Sequence, residues 1–198
     1  MHNEKAALRT RLLTERRARS AQWRETAATA LAGHAVDLAA PGRTVAAYVS
    51  VGAEPGTRPL LDALAARGVR VLLPVLLADN DLDWAAYEGA GGLAPAGRGL
   101  LEPTGPRLGP EAVTEASVVL LPGLAVDRRG LRLGRGGGSY DRVLARLARA
   151  GARPLLATLL YEDELLDSLP AEPHDLPVDA AVTPSGVHRV GPGARPEG

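Results

Sequence analysis

The chain has no cysteine and no phenylalanine, almost no lysine, and a formal net charge of zero. Without cysteine there is neither a disulfide framework nor a thiolate metal centre, and a reducing cytoplasm suits that composition. The balance of 23 basic and 23 acidic residues is unlike a general nucleic-acid binder, which carries excess positive charge. It leaves room for a local basic pocket that takes a small anion. No long uncharged apolar run occurs, so no transmembrane helix is expected. The first residues lack the apolar core of a signal peptide. Four histidines with no cysteine make no zinc constellation, and no Ser-His-Asp pattern rises above chance. Heavy use of Ala, Arg, Gly and Pro reads as a coding bias, which lowers the functional weight of any single arginine.

What is present is a chain of 198 residues with 45% hydrophobic content, enough for one α/β domain with a full core. Helices are expected over residues 4–18, 20–39, 59–67, 139–150 and 162–169. The first carries Ala7, Leu8, Leu12 and Leu13 on one side. The second is capped by Ser20 and buries a face containing Trp23, Ala27, Ala30, Leu31 and Val36. Strands are expected over residues 44–49, 69–73 (stopped by Pro74), 83–87, 113–121, 154–160 and 178–183. Residues 89–110, rich in Gly and Pro, read as a long loop. The strand–helix–strand order implies right-handed crossovers and a single domain with a mainly parallel, doubly wound sheet and helices on both faces. The domain is expected to cover residues 1–186, with a disordered Pro/Gly-rich tail at 187–198.

The most informative stretch is Leu121-Pro-Gly-Leu-Ala-Val-Asp127 followed by Gly130-Leu-Arg-Leu-Gly-Arg-Gly-Gly-Gly-Ser-Tyr-Asp-Arg142. Its glycines run straight into a helical pattern, so free N–H groups and the positive end of a helix dipole face whatever lies before it. Arg132, Arg135 and Arg142 add positive charge, and Asp127 and Asp141 are candidate metal ligands. The pattern is neither a Walker A loop nor a dinucleotide fingerprint. A mobile connection is the plain alternative, which the interleaved arginines and flanking acids weaken.

Several features occur in one order: Lys5-Ala-Ala-Leu-Arg9, Tyr48-Val-Ser50 with Glu54-Pro-Gly-Thr57, Leu72-Leu-Pro74, Gly99-Leu-Leu-Glu-Pro103, the glycine segment, and His174-Asp175 before Val178-Asp179. In these the chain resembles the 5-formyltetrahydrofolate cyclo-ligase family, also called methenyltetrahydrofolate synthetases, over about residues 5–183. The resemblance implies an ATP- and Mg²⁺-dependent ligase that turns 5-formyltetrahydrofolate into 5,10-methenyltetrahydrofolate, with the fold of sugar-phosphate isomerases and CoA transferases. A monomeric cytoplasmic enzyme acting on small molecules, with no nucleic-acid or membrane partner, is expected.

Carried onto this sequence, the resemblance implies that Lys5, Arg9, Gly134, Arg135, Gly136, Gly137, Gly138, Ser139 and Tyr140 bind ATP. Val49, Glu54, Arg135 and Ser139 meet the folate, Arg135 is catalytic, and Asp141 and Asp175 hold Mg²⁺. Each has a plainer reading. Arg135 is also a surface arginine in an arginine-rich chain, and Lys5 and Arg9, one turn apart, are also a solvated face whose charges repel. Asp141 also suits a helix first turn, and Glu54 is also an exposed loop acid. Asp175 is also a turn residue, Tyr140 a core aromatic, and Asp127 closes a turn with Gly130. His174 reads as structural. The family often has two tyrosines before the loop aspartate, and Ser139 replaces the first, so a stacking contact with folate is absent here. Val126 replaces a family Phe and stays apolar. Two other readings remain open: a paralogous ATP-using enzyme for another formyl or amide substrate, and a non-catalytic nucleotide or sugar-phosphate sensor.

Overall fold

The computed structural model describes residues 2–172 and 175–192. The first two helices are α1 (His2–Ala18) and α2 (Ala21–Ala35). Ser20 Oγ accepts the Trp23 N–H at 3.1 Å, the capping bond expected from its position. Then come β1 (Thr44–Ala46), α3 (Arg58–Ala66), β2 (Arg70–Leu76) and β3 (Leu82–Ala86). A hairpin of β4 (Leu93–Pro95) and β5 (Leu101–Pro103) follows, then β6 (Val118–Leu120), β7 (Ala125–Asp127) and β8 (Arg132–Leu133). The chain continues with α4 (Ser139–Arg149), β9 (Leu155–Leu159), β10 (Leu165–Leu166), β11 (Ala180–Thr183) and β12 (Gly186–Arg189).

Seven strands form the main sheet in the order β12-β11-β9-β6-β1-β2-β3. Its inner five run parallel, and the edge strands β3 and β12 are antiparallel to their neighbours. Alternate residues of β1 and β2 split between two cores. Val45, Val71 and Leu73 pack with Leu31 and Ala35 of α2 and with Leu60, Leu61 and Leu64 of α3. Ala46 and Leu72 pack on the opposite face with Val143, Leu144 and Leu147 of α4. This is the expected mainly parallel sheet with helices on both sides.

Several local expectations are corrected. Pro74 does not stop β2. Val71 O accepts from Tyr87 N and Leu77 N donates to Asp81 O, so odd-numbered residues bond toward β3. Pro74 therefore turns its missing donor toward β1, which has already ended at Ala46, and no ladder bond is lost. Residues 110–115 are a 3₁₀ segment, which leaves only 118–120 as strand. Residues 89–110 contain the β4–β5 hairpin. The helix expected over 162–169 is a short 3₁₀ turn followed by β10, which pairs with β7. β7, β8 and β10 make a small second sheet that no periodicity announced. Trp23 lies half exposed, its ring tilted against Tyr161 at 4.9 Å, because α2 turns Ala27, Ala28 and Leu31 inward instead. Residues 187–189, placed in a disordered tail, form β12 against β11, and Val190 is buried behind it. His174 and residues 193–198 lie outside the described residues.

Candidate active site

A cavity of about 520 Å³ opens beyond the C-terminal ends of β1, β2 and β6, where open α/β sheets collect ligands. Every residue to which the resemblance gives a site role lines it: Lys5, Arg9, Val49, Glu54, Gly134, Arg135, Gly136, Gly137, Gly138, Ser139, Tyr140, Asp141 and Asp175. Asp127 and Arg142 are not among its lining residues.

The glycine segment leaves β8 and ends in α4. Gly136 and Gly138 hold φ of 90° and 78°, values that glycine adopts without a Cβ penalty. Gly138 is the N-cap of α4 and supplies no side-chain cap. The first-turn N–H groups of α4 are therefore left facing the cavity, a setting that favours anions. Arg9 donates from Nε to Gly134 O at 2.8 Å and ties the loop to α1.

Lys5 is the chain's only lysine. Its Nζ bonds Glu172 at 2.9 Å and Asp175 at 3.0 Å. Burial alone pulls its ammonium down, but the hydrogen bonds it donates to Glu172 and Asp175 outweigh that and hold the pKa above the usual lysine value. The Lys5–Arg9 repulsion expected from sequence is thus already relieved by carboxylates. Asp175 Oδ2 also accepts the Glu172 N–H at 2.8 Å, so the turn reading of Asp175 holds alongside its place on the cavity wall.

Glu54 sits in a braced loop. Ser50 N donates to Thr57 Oγ1 at 2.9 Å and Thr57 N returns a bond to Ser50 Oγ at 3.1 Å. Val51 N donates to Glu54 Oε2 at 2.8 Å. The other oxygen, Oε1, lies 3.5 Å from Arg135 Nε. Arg135 is half exposed over the cavity and links the glycine loop to the Glu54 wall.

Arg132 was given charge by the sequence but no role. Its side chain is 9% exposed and its Nη1 donates to Pro122 O at 2.8 Å. Its Nε is buried with no partner. Burial lowers its pKa, offset in part by Asp141, whose Oδ1 lies 3.5 Å from Nη2. A Cβ at Gly134 would fall 2.9 Å from Arg132 Nη1, so the guanidinium would have to shift to admit one. Asp127, by contrast, is no ligand. Its carboxylate is buried and accepts the N–H groups of Arg129, Leu131 and Leu169 at 2.9, 3.0 and 2.9 Å. Gly130 N closes the turn on Asp127 O at 2.8 Å.

The 5-formyltetrahydrofolate cyclo-ligase family model matches residues 1–184. The chain belongs to this family. A 5-formyltetrahydrofolate cyclo-ligase of Mycolicibacterium smegmatis is 48% identical over 187 residues, covering 91% of this chain and 93% of that protein. The enzyme of the same name from Escherichia coli (strain K12) is 34% identical over 146 residues, 73% of this chain and 79% of that one. Among solved structures, the Aquifex aeolicus 5,10-methenyltetrahydrofolate synthetase superposes with a TM-score of 0.77 at 26% identity, covering 98% of this chain and 96% of that one.

In this cyclo-ligase family member, sequence reasoning missed a buried ion pair behind the cavity. Arg16 Nε bonds Glu164 Oε1 at 2.7 Å, and its Nη2 bonds Glu164 Oε2 at 2.8 Å and Gly123 O at 2.7 Å. The signal was present: Lys5, Arg9, Leu12 and Arg16 recur at helical spacing, so α1 buries cations along its apolar stripe. Among the described residues no group of three or more His, Cys, Asp or Glu could hold a metal. The cavity does offer the Asp141 carboxylate, 73% exposed, together with Asp175 beside the glycine loop. One or two carboxylates completed by phosphate and water is the donor set Mg²⁺ favours.

Proposed function

We propose that this chain catalyses the ATP-dependent cyclisation of 5-formyltetrahydrofolate to 5,10-methenyltetrahydrofolate, with release of ADP and phosphate. The observation that carries this reading is Arg135, whose guanidinium spans one cavity from a phosphate-type glycine loop to the Glu54 carboxylate, 3.5 Å away. One cation then serves both substrates where they meet.

The formyl oxygen of an N-formyl group is amide-like and leaves poorly. Transfer of the γ-phosphoryl group of ATP to that oxygen forms an O–P bond and breaks the bond to ADP. N10 then attacks the activated carbon and gives up its proton to the departing phosphate, the C–O bond breaks, and the oxygen leaves with the phosphate as the ring closes. Such chemistry needs alignment and charge neutralisation more than a protein nucleophile. Main-chain N–H groups from Gly134 to Tyr140 cradle the phosphates. Lys5 and Arg9 face the triphosphate, and Arg135 stabilises the charge passing between ATP and the formyl oxygen. Glu54 accepts N–H donors of the pterin, with Val49 as an apolar wall. Ser139 lines the folate side without a ring to stack. Asp141 and Asp175 would hold Mg²⁺, which when bound neutralises phosphate charge.

The test is the rise in methenylfolate absorbance on mixing the protein with 5-formyltetrahydrofolate, ATP and Mg²⁺, omitting each in turn. A rise that needs all of them supports this reading. No rise with ATP still bound contradicts it and directs the search to other formyl or amide substrates.

A further inference from the structure

Four tyrosines occur in the chain, and they differ in what their hydroxyls meet. Tyr87 donates to Asp62 at 2.6 Å and Tyr161 to Ala53 O at 3.2 Å. Tyr48 and Tyr140 both line the active-site cavity, and among the described residues neither hydroxyl bonds a protein group, though neither is among the occluded orphan atoms. Both hydroxyls therefore open onto the cavity. Tyr140 belongs to the glycine loop and the first turn of α4. Tyr48 is the more surprising of the two. It follows β1, is 5% exposed, and packs its ring in the core with Val49. Burial comes first, and the Glu54 carboxylate second, in holding its proton on well above the usual phenol range. It is an O–H donor at any ordinary pH, close to Glu54, and it opens onto the cavity where a bound ligand can supply the acceptor.

A 4-oxopterin presents along one edge an acceptor, O4, followed by two donors, N3–H and the 2-amino group. A carboxylate satisfies the two donors and leaves O4 in need of one. We propose that the Tyr48 hydroxyl donates to the 4-oxo group of the substrate's pterin and, together with Glu54, selects 4-oxo over 4-amino pteridines. This rests on the reading that Glu54 faces the pterin. In a 4-amino ring N3 loses its hydrogen, so Glu54 faces a lone pair, and the Tyr48 oxygen is left only the weaker role of acceptor from the amino group. Tyr48 is thus a specificity residue that touches the substrate away from the reacting carbon.

The experiment is calorimetric titration of the full chain and of Tyr48→Phe with 5-formyltetrahydrofolate and with its 4-amino-4-deoxy analogue, alongside steady-state turnover. Loss of the hydroxyl should weaken 5-formyltetrahydrofolate binding about 5- to 10-fold. Binding of the 4-amino analogue should change less, by about twofold at most, because the phenol oxygen is only a weak acceptor for its amino group. The KM for ATP should stay unchanged. The melting temperature should not fall, because no protein partner is lost. Equal weakening for both folates, an unchanged Kd for 5-formyltetrahydrofolate, or a weakened ATP site overturns the role of Tyr48 while wild-type turnover leaves the cyclo-ligase reading standing. Failure of the wild-type chain to bind either folate overturns both.

Discussion

Replacing Glu164 by Ala should be among the most damaging single changes away from the reacting centre. Glu164 and Arg16 have side chains 2% exposed. The carboxylate accepts two bonds from Arg16 and one from Tyr161 N at 2.8 Å. Removing it leaves the guanidinium, among the described residues, with Gly123 O as its one hydrogen-bond acceptor and frees a buried backbone donor. Breaking one side of such a pair costs about 3–5 kcal/mol, a large share of the roughly 5–15 kcal/mol that holds a domain together. With a urea slope near 2 kcal/mol per M, the midpoint should fall by about 2 M. The double variant Arg16→Met/Glu164→Leu, which removes both charges, should recover most of the loss. Arg16 also fixes α1, which carries Lys5 and Arg9 to the cavity, so KM for ATP should rise in Glu164→Ala under conditions where the variant remains folded. Urea melts and ATP titrations measure both effects. A loss below about 1 kcal/mol, the range of an exposed pair, would refute the reasoning.

Other perturbations separate the parts of the account. Glu54→Ala should raise KM for 5-formyltetrahydrofolate about 10-fold or more with little change for ATP; the reverse ranking in steady-state kinetics places Glu54 in the wrong half of the cavity. Gly130→Ala forces a Cβ to 2.5 Å from Val178 O at a φ of 84°. It should destabilise by about 2 kcal/mol or more in denaturant melts. Asp81 has its pKa lowered chiefly by the Arg146 guanidinium. Its stabilising contribution is therefore complete above the unfolded carboxyl value and lost as pH falls through the lower folded one. Asp81→Asn should flatten the pH dependence of stability below about pH 4, and an unchanged acid slope contradicts the assignment. Arg135→Ala and Asp141→Ala should each abolish turnover, measured by methenylfolate absorbance, while circular dichroism remains native; full activity in both removes the site model.

The parts legible in the sequence are those whose signals are local. The glycine cluster before Val143, Leu144 and Leu147 announces α4 and its anion-facing N-terminus, and Ser20 announces the start of α2. Glu54 is legible as an acid in a turn-rich connection after an apolar strand. The second sheet is not legible, because β8 and β10 are two residues each and so short a run carries no period. Pro74 misled because its tolerance depends on β1 ending first, a fact of tertiary pairing. Arg16 and Glu164 lie 148 residues apart, and charged residues on a helix read as solvated until their partner arrives. Tyr48 is an ordinary strand aromatic until its hydroxyl is seen to lack a partner.

The central claim is that the cavity activates the formyl oxygen by phosphoryl transfer. Its most direct test uses 5-formyltetrahydrofolate labelled with oxygen-18 in the formyl group, turned over with ATP and Mg²⁺, followed by mass analysis of the released phosphate. One labelled oxygen is expected in each phosphate, because the C–O bond breaks with its oxygen already bound to phosphorus. Label appearing in water, with unlabelled phosphate, would contradict it.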